Sequence, residues 1–596
     1  MCGIVGCVGE KNAGRLVLNK LKNLQYRGYD SAGIGANSDG KIDIIKSVGN
    51  VEKLEEICNP EILKSDCVIG HTRWATHGKV CVENAHPCLS GGVAVVHNGI
   101  FENYAQLGDL ILNTSAVKEE LDSLVFAKCL DKMLRAETNL TLKKVSECLR
   151  FLLNECVGTW ALCILVAQFK DTIFFAKNKS PLVIGKSLDG MWLCSDSNSI
   201  SDSCNFVCDL NDGDFGWVSS KKLQVYNKFG RVSVKKFNKV VNNDINMNLG
   251  KCSCFMENEI EEGLVSAVKA IEEFSLNSEA VVKKLSLRKP FCLCACGSAF
   301  NAGLCLKYWM EKFLNKSLDC VYGSEFCYRP SLVKKKGAVL LISQSGETAD
   351  TLNGADLAKN YGCVLIGFVN NVASSLTKKC DFVIKTFAGK ETAVAATKTY
   401  VAQLASGLAF VSALYNKFSK TPINIAQLCA KLRNVNYDGV KTSVEQVADI
   451  IKEEESIYFI GRGVDYYIAK EGALKLREVS YIHVEALPAG ELKHGSLALI
   501  NSTTFVVVIL TQANQIKKTM NNVAEVKSRG GKIIMFSQFD EVGEKVDYFV
   551  KVPKMEDEFM PIIMAKPLQL LACYTALKKG LNPDMPRNLA KSVTVE

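Results

Sequence analysis

Val339-Leu340-Leu341-Ile342-Ser343-Gln344-Ser345-Gly346-Glu347-Thr348 is an apolar run that breaks into a turn of hydroxyls and glycine, and a helical pattern follows it. Buried strand, Gly-containing turn and amphipathic helix, in that order, form the repeating unit of a parallel, doubly wound α/β sheet. The run recurs 168 residues later as Val507-Val508-Ile509-Leu510-Thr511-Gln512. Both copies continue through a helix with a matched threonine (Thr351, Thr519) to a glycine turn (Gly362, Gly530) and a second apolar strand ending in Phe (Phe368, Phe536). Upstream, Cys296-Gly297-Ser298 corresponds to Gly461-Arg462-Gly463. Chance would match one strand; four landmarks in register indicate a duplicated domain. The copies diverge at the turn, where Ser343 to Thr348 is replaced by Thr511-Gln512-Ala513-Asn514-Gln515-Ile516. A strand end opening onto a helix start offers backbone N–H groups to an anion, so the ligand is expected in the first copy.

Residues 1–240 have a different texture. Short β-rich runs (Val93 to Val96, Trp160 to Val166, Thr172 to Phe175) alternate with two helical stretches, Ala13 to Leu24 and Glu119 to Lys132, an α+β layout. Val241-Asn242-Asn243-Asp244-Ile245-Asn246-Met247-Asn248 has no apolar periodicity and reads as a linker. The expected organisation is therefore a first domain at 2–240, a linker at 241–255, the two copies at 256–425 and 426–580, and a tail at 581–596.

The chain has 596 residues, 48% apolar and 23% charged, too many for a single core. Its net charge of +9 is spread along the chain without a basic stripe, which argues against nucleic acid and suits an anionic small substrate. Twenty-five cysteines with no apolar signal segment after Met1 point to a reducing, cytoplasmic setting. The apolar stretch Leu404 to Tyr415 is too short for a bilayer and reads as a buried helix, so no membrane partner is expected. Cys292-Leu293-Cys294-Ala295-Cys296 invites a zinc assignment. Alternate strand residues lie ~6.6 Å apart, however, and two thiolates on one zinc must lie within ~4.6 Å. Core thiols and no metal are expected.

All six histidines fall in two windows: His71, His77, His86 and His97, then His483 and His494. The first window reads Gly70-His71-Thr72-Arg73-Trp74-Ala75-Thr76-His77-Gly78, followed by Asn84-Ala85-His86-Pro87 and Val96-His97-Asn98-Gly99. The chain itself opens Met1-Cys2-Gly3-Ile4-Val5-Gly6. Removal of Met1 would leave a thiol and a free α-amine on one residue. With reference pKa values of ~8.5 and ~7.7–8.0, the amine can take the thiol proton unaided.

Together with Tyr26-Arg27-Gly28-Tyr29-Asp30-Ser31, these windows resemble the glutaminase domain of the isomerising glutamine–fructose-6-phosphate aminotransferase family. Nearly the whole chain shares the resemblance. It implies an N-terminal-nucleophile αββα sandwich at 2–240, followed by two sugar-isomerase (SIS) domains and an active-site tail. An amide hydrolase needs a planar fork for the substrate carboxylate, which Arg73 would supply. It also needs oxyanion donors, assigned by the resemblance to the Asn98 side chain and the Gly99 N–H. Asp122 matches the anion that faces the substrate ammonium, although Leu121 and Ser123 stand where the family has threonines. Trp74, Thr76, His77 and His86 complete the implied glutamine pocket, with Trp74 gating ammonia on its way through the protein.

In the second half, Ser343, Gln344, Ser345 and Thr348 match the family's sugar-phosphate loop, with Ser298 and Val394 as further contacts. Glu471, Lys475 and Glu478 share a helix face at spacings of four and three. The resemblance gives Glu478 the proton transfer between carbons 1 and 2 and Lys475 a proton shuttle to oxygen. It gives His494, reaching in from a neighbouring subunit, ring opening, and Lys591, in Pro586 to Glu596, the Schiff base with the sugar. It therefore implies at least a homodimer. No organic cofactor is expected, because proton transfer beside an activated carbonyl lies within reach of Glu and Lys. The resemblance thus implies transfer of the glutamine amide nitrogen to fructose 6-phosphate, giving glucosamine 6-phosphate and glutamate. Ala299 and Ala396 stand where the family usually has Ser, so weaker sugar-phosphate binding is expected. Asparagine-synthetase and phosphoribosyl-transfer relatives are excluded by the absence of a Ser-Gly-Gly-x-Asp-Ser loop and of paired acidic residues after a strand. A sugar-phosphate-sensing regulator would need a helix-turn-helix segment, and a deglycase-like relative a decayed N-terminal site.

Overall fold

The computed structural model describes residues 2–25, 28–74, 79–113, 121–239, 252–285, 290–335, 337–417, 419 and 421–593. The chain falls into two compact units, divided in sequence between Asn246 and Met247. Of the expected linker, 241–255, residues 241–251 lie outside the described residues, and Phe255 already opens a helix.

The first unit is built on two antiparallel sheets, of eight and six strands. In the larger, β1 (Gly3–Val8) is central; α1 (Ala13–Lys22) follows it, and β2 (Cys67–Arg73) pairs with it, Gly3 opposite Thr72 and Ile4 opposite His71. In the smaller, β3 (Val93–Phe101) pairs with β4 (Gly158–Val166), and α2 (Asp122–Arg135) and α3 (Leu142–Glu155) lie between them in sequence. Alternation along β1 and β3 builds the layers. Ile4 and Val8 share a core with Ala94, Val96, Cys163 and Leu165, so the sheets pack face to face. Val5 and Cys7 point the other way, onto Val17, Leu18 and Leu21 of α1. Val93 and Val95 point outward onto Phe126, Leu130, Leu149 and Leu152 of α2 and α3. Helix, sheet, sheet, helix is the αββα sandwich.

The helices correct the sequence reading in detail. The first ends at Lys22 rather than Leu24, and the second runs to Arg135. Sequence analysis missed α3, although its signal is plain. Val145, Cys148, Leu149 and Leu152 recur at i, i+3, i+4 and i+7 and are buried, and Thr141 caps the helix by accepting the Lys144 N–H at 3.3 Å.

The second unit contains two five-stranded parallel sheets of identical order. The first copy uses β5 (Phe291–Ala295), β6 (Leu318–Tyr322), β7 (Ala338–Ser343), β8 (Val364–Val369) and β9 (Phe382–Lys385), in spatial order β6-β5-β7-β8-β9. The second uses β10 (Ser456–Gly461), β11 (His483–Pro488), β12 (Phe505–Leu510), β13 (Lys532–Ser537) and β14 (Tyr548–Lys551), in spatial order β11-β10-β12-β13-β14. The duplication seen in sequence is thus a duplication of topology, with Thr351 and Thr519 both buried beneath their sheets. Strand ends feed α6 (Gly297–Leu314), α7 (Ala349–Asn360) and α9 (Val464–Ser480), and α4 (Phe255–Glu261) and α5 (Gly263–Lys284) precede the first sheet. One core holds Trp309 of α6, Phe410 of α8 (Lys398–Asn416), Leu476 of α9 and Leu571 of α10 (Met560–Lys578).

The stretch 404–415 is a buried helix, inside α8. The longer apolar segment is α10: Asp557–Lys578 is long and apolar enough to cross a membrane, and 89% of that window is buried in the protein. Cys292 and Cys294 are buried on β5, and among the described residues no group of three or more His, Cys, Asp or Glu is arranged to hold a metal.

Candidate active sites

The N-terminal site forms where β1 and β2 lie side by side. Cys2 immediately precedes β1, and its Sγ accepts the Trp74 N–H at 3.2 Å just beyond the end of β2. The strand start is pinned by two hydroxyls: Thr72 Oγ1 takes the Gly3 N–H at 3.2 Å and Ser195 Oγ takes the Ile4 N–H at 3.1 Å. Burial raises the Cys2 thiol above its ordinary pKa, opposed by the Trp74 N–H and the Arg73 guanidinium. Cys2 is half-buried, and the nearby histidines cannot serve as cations. Burial drives His71 down to about 3 and His86 well below its ordinary value, so both are neutral.

Both are tied into one hydrogen-bond network. His71 Nε2 faces two oxygens, the His97 carbonyl at 3.1 Å and Asn98 Oδ1 at 3.0 Å, which places its proton on that nitrogen. With Oδ1 held there, Asn98 Nδ2 donates to the Cys2 carbonyl at 2.9 Å. The amide donor is thereby aimed at Cys2. His86 packs edge-on against His71, Nδ1 3.2 Å from its Nε2, with ring centroids 4.3 Å apart and planes at 60°. Gly99 follows on β3 with φ +132°, and a Cβ there would lie 2.0 Å from the Thr159 carbonyl, so only glycine fits. Asp122 opens α2 and ties it to β3: its carboxylate accepts the Phe101 N–H at 3.0 Å and lies 3.7 Å from His97 Nδ1. Arg73 is 3% exposed, at the end of β2. The structure thus brings Cys2, Trp74 and Asn98 together, with His71 as the orienting group that sequence analysis missed. Thr76 and His77 lie outside the described residues.

Asn98→Ala removes the amide that points at Cys2. On the resemblance's assignment of Asn98 as an oxyanion donor, glutamine hydrolysis should fall about 10²–10³-fold in kcat, with a smaller change in KM.

The second site lies at the C-terminal ends of the first copy's strands. Ser343 Oγ accepts the Gly346 N–H at 3.0 Å and bonds Thr348 Oγ1 at 3.0 Å; Ser345 Oγ accepts the Glu347 N–H at 3.1 Å. Gly346 has φ +67°, and a Cβ there would lie 2.0 Å from Ser374 Oγ, which forces the tight turn that gathers the hydroxyls. Thr348 sits at the N-cap of α7 without a capping hydrogen bond to the helix. Hydroxyls clustered at a helix start suit a phosphate. The tail folds over this loop: Ser592 Oγ donates to Ser345 Oγ at 2.8 Å, and the Val593 carbonyl accepts the Ala349 N–H at 3.0 Å.

Lys591 is buried. It pairs with Glu391 and donates to the Ala393 carbonyl at 2.7 Å, beside Val394, whose N–H bonds the Asp584 carbonyl at 2.9 Å. Glu391 is 6% exposed and also accepts from the N–H and hydroxyl groups of Thr397 and Thr399. Glu259 of α4 lies alongside, pushed up to about 8 by burial and by the charge of Glu391. Neither glutamate carries a sequence signal, because each is made important by a loop closing from another part of the chain.

On α9, Lys475 is 1% exposed, paired with Glu478 and 3.6 Å from Glu471. This burial rules out a solvated salt-bridge stripe. Burial works against the Lys475 charge, but Glu478 and Glu471 outweigh it and the net shift is upward. The charge of Glu391 also acts on Lys475, which places the two lysines in one electrostatic neighbourhood. Ser298 is buried at the start of α6, and Asn301, one turn on, donates to Glu471 Oε2 at 2.8 Å and so joins the two copies. His494 stands apart, exposed on a 3-10 turn (Ala489–His494), with no hydrogen bond or ion pair to Lys475, Glu478 or Lys591 among the described residues.

Residues 284–413 and 450–579 each match the family profile of the SIS domain. Over 100% of both chains, the sequence is 36% identical to the glutamine–fructose-6-phosphate aminotransferase [isomerizing] of Caldanaerobacter subterraneus subsp. tengcongensis, and 36% identical to that of Aquifex aeolicus. Among solved structures, the C-terminal domain of glucosamine-fructose-6-phosphate aminotransferase from Francisella tularensis aligns with 57% of this chain and 100% of its own, at 33% identity and a TM-score of 0.53.

Proposed function

The chain belongs to the isomerising glutamine–fructose-6-phosphate aminotransferase family, and from that premise we propose how its residues divide the work. The reaction takes the amide nitrogen of glutamine to fructose 6-phosphate, yielding glutamate and glucosamine 6-phosphate. The observation that carries the assignment is the full-length match, at 36% identity, to relatives named for that activity. Cys2, freed of Met1, attacks the glutamine amide while its own α-amine takes the thiol proton and passes it to the leaving nitrogen. Asn98 and Gly99 hold the oxyanion; Arg73 grips the substrate carboxylate and Asp122 its ammonium, with Trp74, Thr76, His77 and His86 around them. Ammonia and a thioester result, and water releases glutamate.

At the second site, Ser298, Ser343, Gln344, Ser345, Thr348 and Val394 bind the sugar phosphate. Lys591 condenses with the open-chain carbonyl, losing water to form an imine. The imine carbon takes up ammonia and releases the lysine. Glu478 carries the proton from carbon 1 to carbon 2, Lys475 moves a proton to oxygen, and His494, from a second subunit, assists ring opening. The reading also takes the chain as a cytoplasmic homodimer or larger homo-oligomer without nucleic acid or membrane partners, and without a cofactor. Its domains are 2–240, 256–425 and 426–580, with a linker at 241–255 and a tail at 581–596. Purified chain given glutamine and fructose 6-phosphate should produce glucosamine 6-phosphate and glutamate in equal amounts; glutamate alone would refute the assignment.

Ala299 packs half-buried against the core of the second unit, and Ala396 is half-buried before α8. Each hydroxyl restored toward a charged ligand is worth about 1.5–3 kcal/mol. The double variant Ala299→Ser, Ala396→Ser should therefore lower the fructose 6-phosphate KM about tenfold or more. An unchanged KM would contradict this.

A further inference from the structure

One turn before Lys475 on α9, Glu471 is 3% exposed and belongs to neither ligand loop. Its Oε2 accepts from Asn301 Nδ2 at 2.8 Å, whereas its Oε1 has no hydrogen-bond partner and faces Lys475 Nζ at 3.6 Å. Beside it is a cavity of about 10 Å³, enough for the centre of one water, lined by Tyr400, Glu471, Lys475, Leu568 and Gln569. Gln569 Oε1 is also buried and unpartnered, its amide nitrogen being committed to the Thr397 carbonyl at 3.2 Å. Two acceptors and an ammonium around a water-sized space are the set that one water satisfies, donating twice and accepting once.

We propose that Glu471 is a positioning residue for the Lys475–Glu478 pair, its charge deciding, with one water held against Gln569, how tightly Lys475 keeps its proton. The inference rests on Lys475 and Glu478 being the groups that move protons on the sugar. Burial, above all, pushes the Glu471 carboxyl up to about 7. The other titratable groups around it are Lys475 and Glu478 on its own helix, Cys305 from α6 and Tyr400 from α8, with Glu391 acting on Lys475; α10 contributes only neutral Gln569. Below that pH, Lys475 shares its proton chiefly with Glu478. Above it, a second carboxylate holds the proton, and donation to the sugar oxygen slows.

Fructose 6-phosphate alone isolates this step, because the same proton transfer without ammonia yields glucose 6-phosphate and avoids the Cys2 site. Wild-type kcat for that isomerisation should fall about tenfold between pH 6 and pH 8, following one ionisation. In Glu471→Gln the fall should vanish while the fructose 6-phosphate KM stays within about twofold; in Gln569→Leu its midpoint should move. A purely structural role would lower kcat equally at every pH. If Glu471→Gln does not fold, as judged by thermal unfolding, Gln569→Leu carries the test. An unmoved profile in the folded variants overturns the inference. Lys475→Ala, run in parallel, separates the failures. Isomerisation surviving in Lys475→Ala refutes the underlying reading, whereas its loss there beside a wild-type profile in Glu471→Gln refutes only the role of Glu471.

Discussion

Cys2→Ala is expected to reduce glutamine hydrolysis by at least about a thousandfold, the scale on which loss of a nucleophile acts in acyl transfer. High concentrations of ammonium salt should still support glucosamine 6-phosphate formation, because the sugar site loses nothing. The contrast matters more than the loss alone. The Trp74 N–H that Cys2 Sγ now accepts would be left without its partner, at a cost of about 1–3 kcal/mol. A general collapse would abolish both activities, whereas loss of the nucleophile abolishes one. The pH profile adds a second signature. His71 and His86 are held neutral by burial, so neither can contribute a limb between about pH 5 and 8. Hydrolysis should instead rise through the α-amine pKa of ~7.7–8.0 and then level off, because the amine must lose its proton to act as base. Intact-mass analysis of active material should find Met1 absent and the amine unmodified; full activity with a blocked amine would contradict the scheme.

The second large effect is expected at Lys591. Lys591→Ala should eliminate sugar-dependent synthesis, again by about a thousandfold or more, while glutamine hydrolysis continues. It should also destabilise the second unit. Glu391 is buried and paired with Lys591, and removing one member of a buried ion pair costs about 3–5 kcal/mol. The two consequences separate in Lys591→Arg. A guanidinium keeps the charge beside Glu391 and cannot form an imine at pH 7. The arginine variant should therefore recover most of the lost thermal stability and none of the synthesis. Borohydride added to wild-type protein with fructose 6-phosphate should trap a sugar adduct on Lys591, and no adduct should form in either variant. Recovery of synthesis by Arg would show that charge, not imine chemistry, is what this position supplies.

The repeat was legible because β7 and β12 are buried on both faces and are therefore written as uninterrupted apolar runs, a pattern that survives divergence. The Ser343–Thr348 loop was legible because its chemistry is local: the residues that shape the turn are those that present the hydroxyls. Cys2 was legible for the same reason, the proposed nucleophile and base being one residue. What escaped depends on contacts distant in sequence. Glu391 sits in an aperiodic segment and becomes a buried ion-pair partner only when the tail brings Lys591 to it. His71 and His86 stood out as histidines in a motif, but their neutrality and their edge-to-face packing come from burial. The α10 helix passed unnoticed because Pro561 and Pro567 interrupt its pattern, whereas burial on all sides tolerates them. His494 is exposed in the single chain, and its sequence signal said nothing of what it would face.

The most direct measurement uses glutamine labelled with ¹⁵N at the amide, fructose 6-phosphate and an excess of unlabelled ammonium, with the isotope read in the product. The account predicts glucosamine 6-phosphate that carries mainly ¹⁵N and accumulates with glutamate, because nitrogen freed at Cys2 is consumed at Lys591 before it equilibrates with solvent. Product carrying the isotope ratio of the bulk ammonium, or glutamate without any amino sugar, would contradict it.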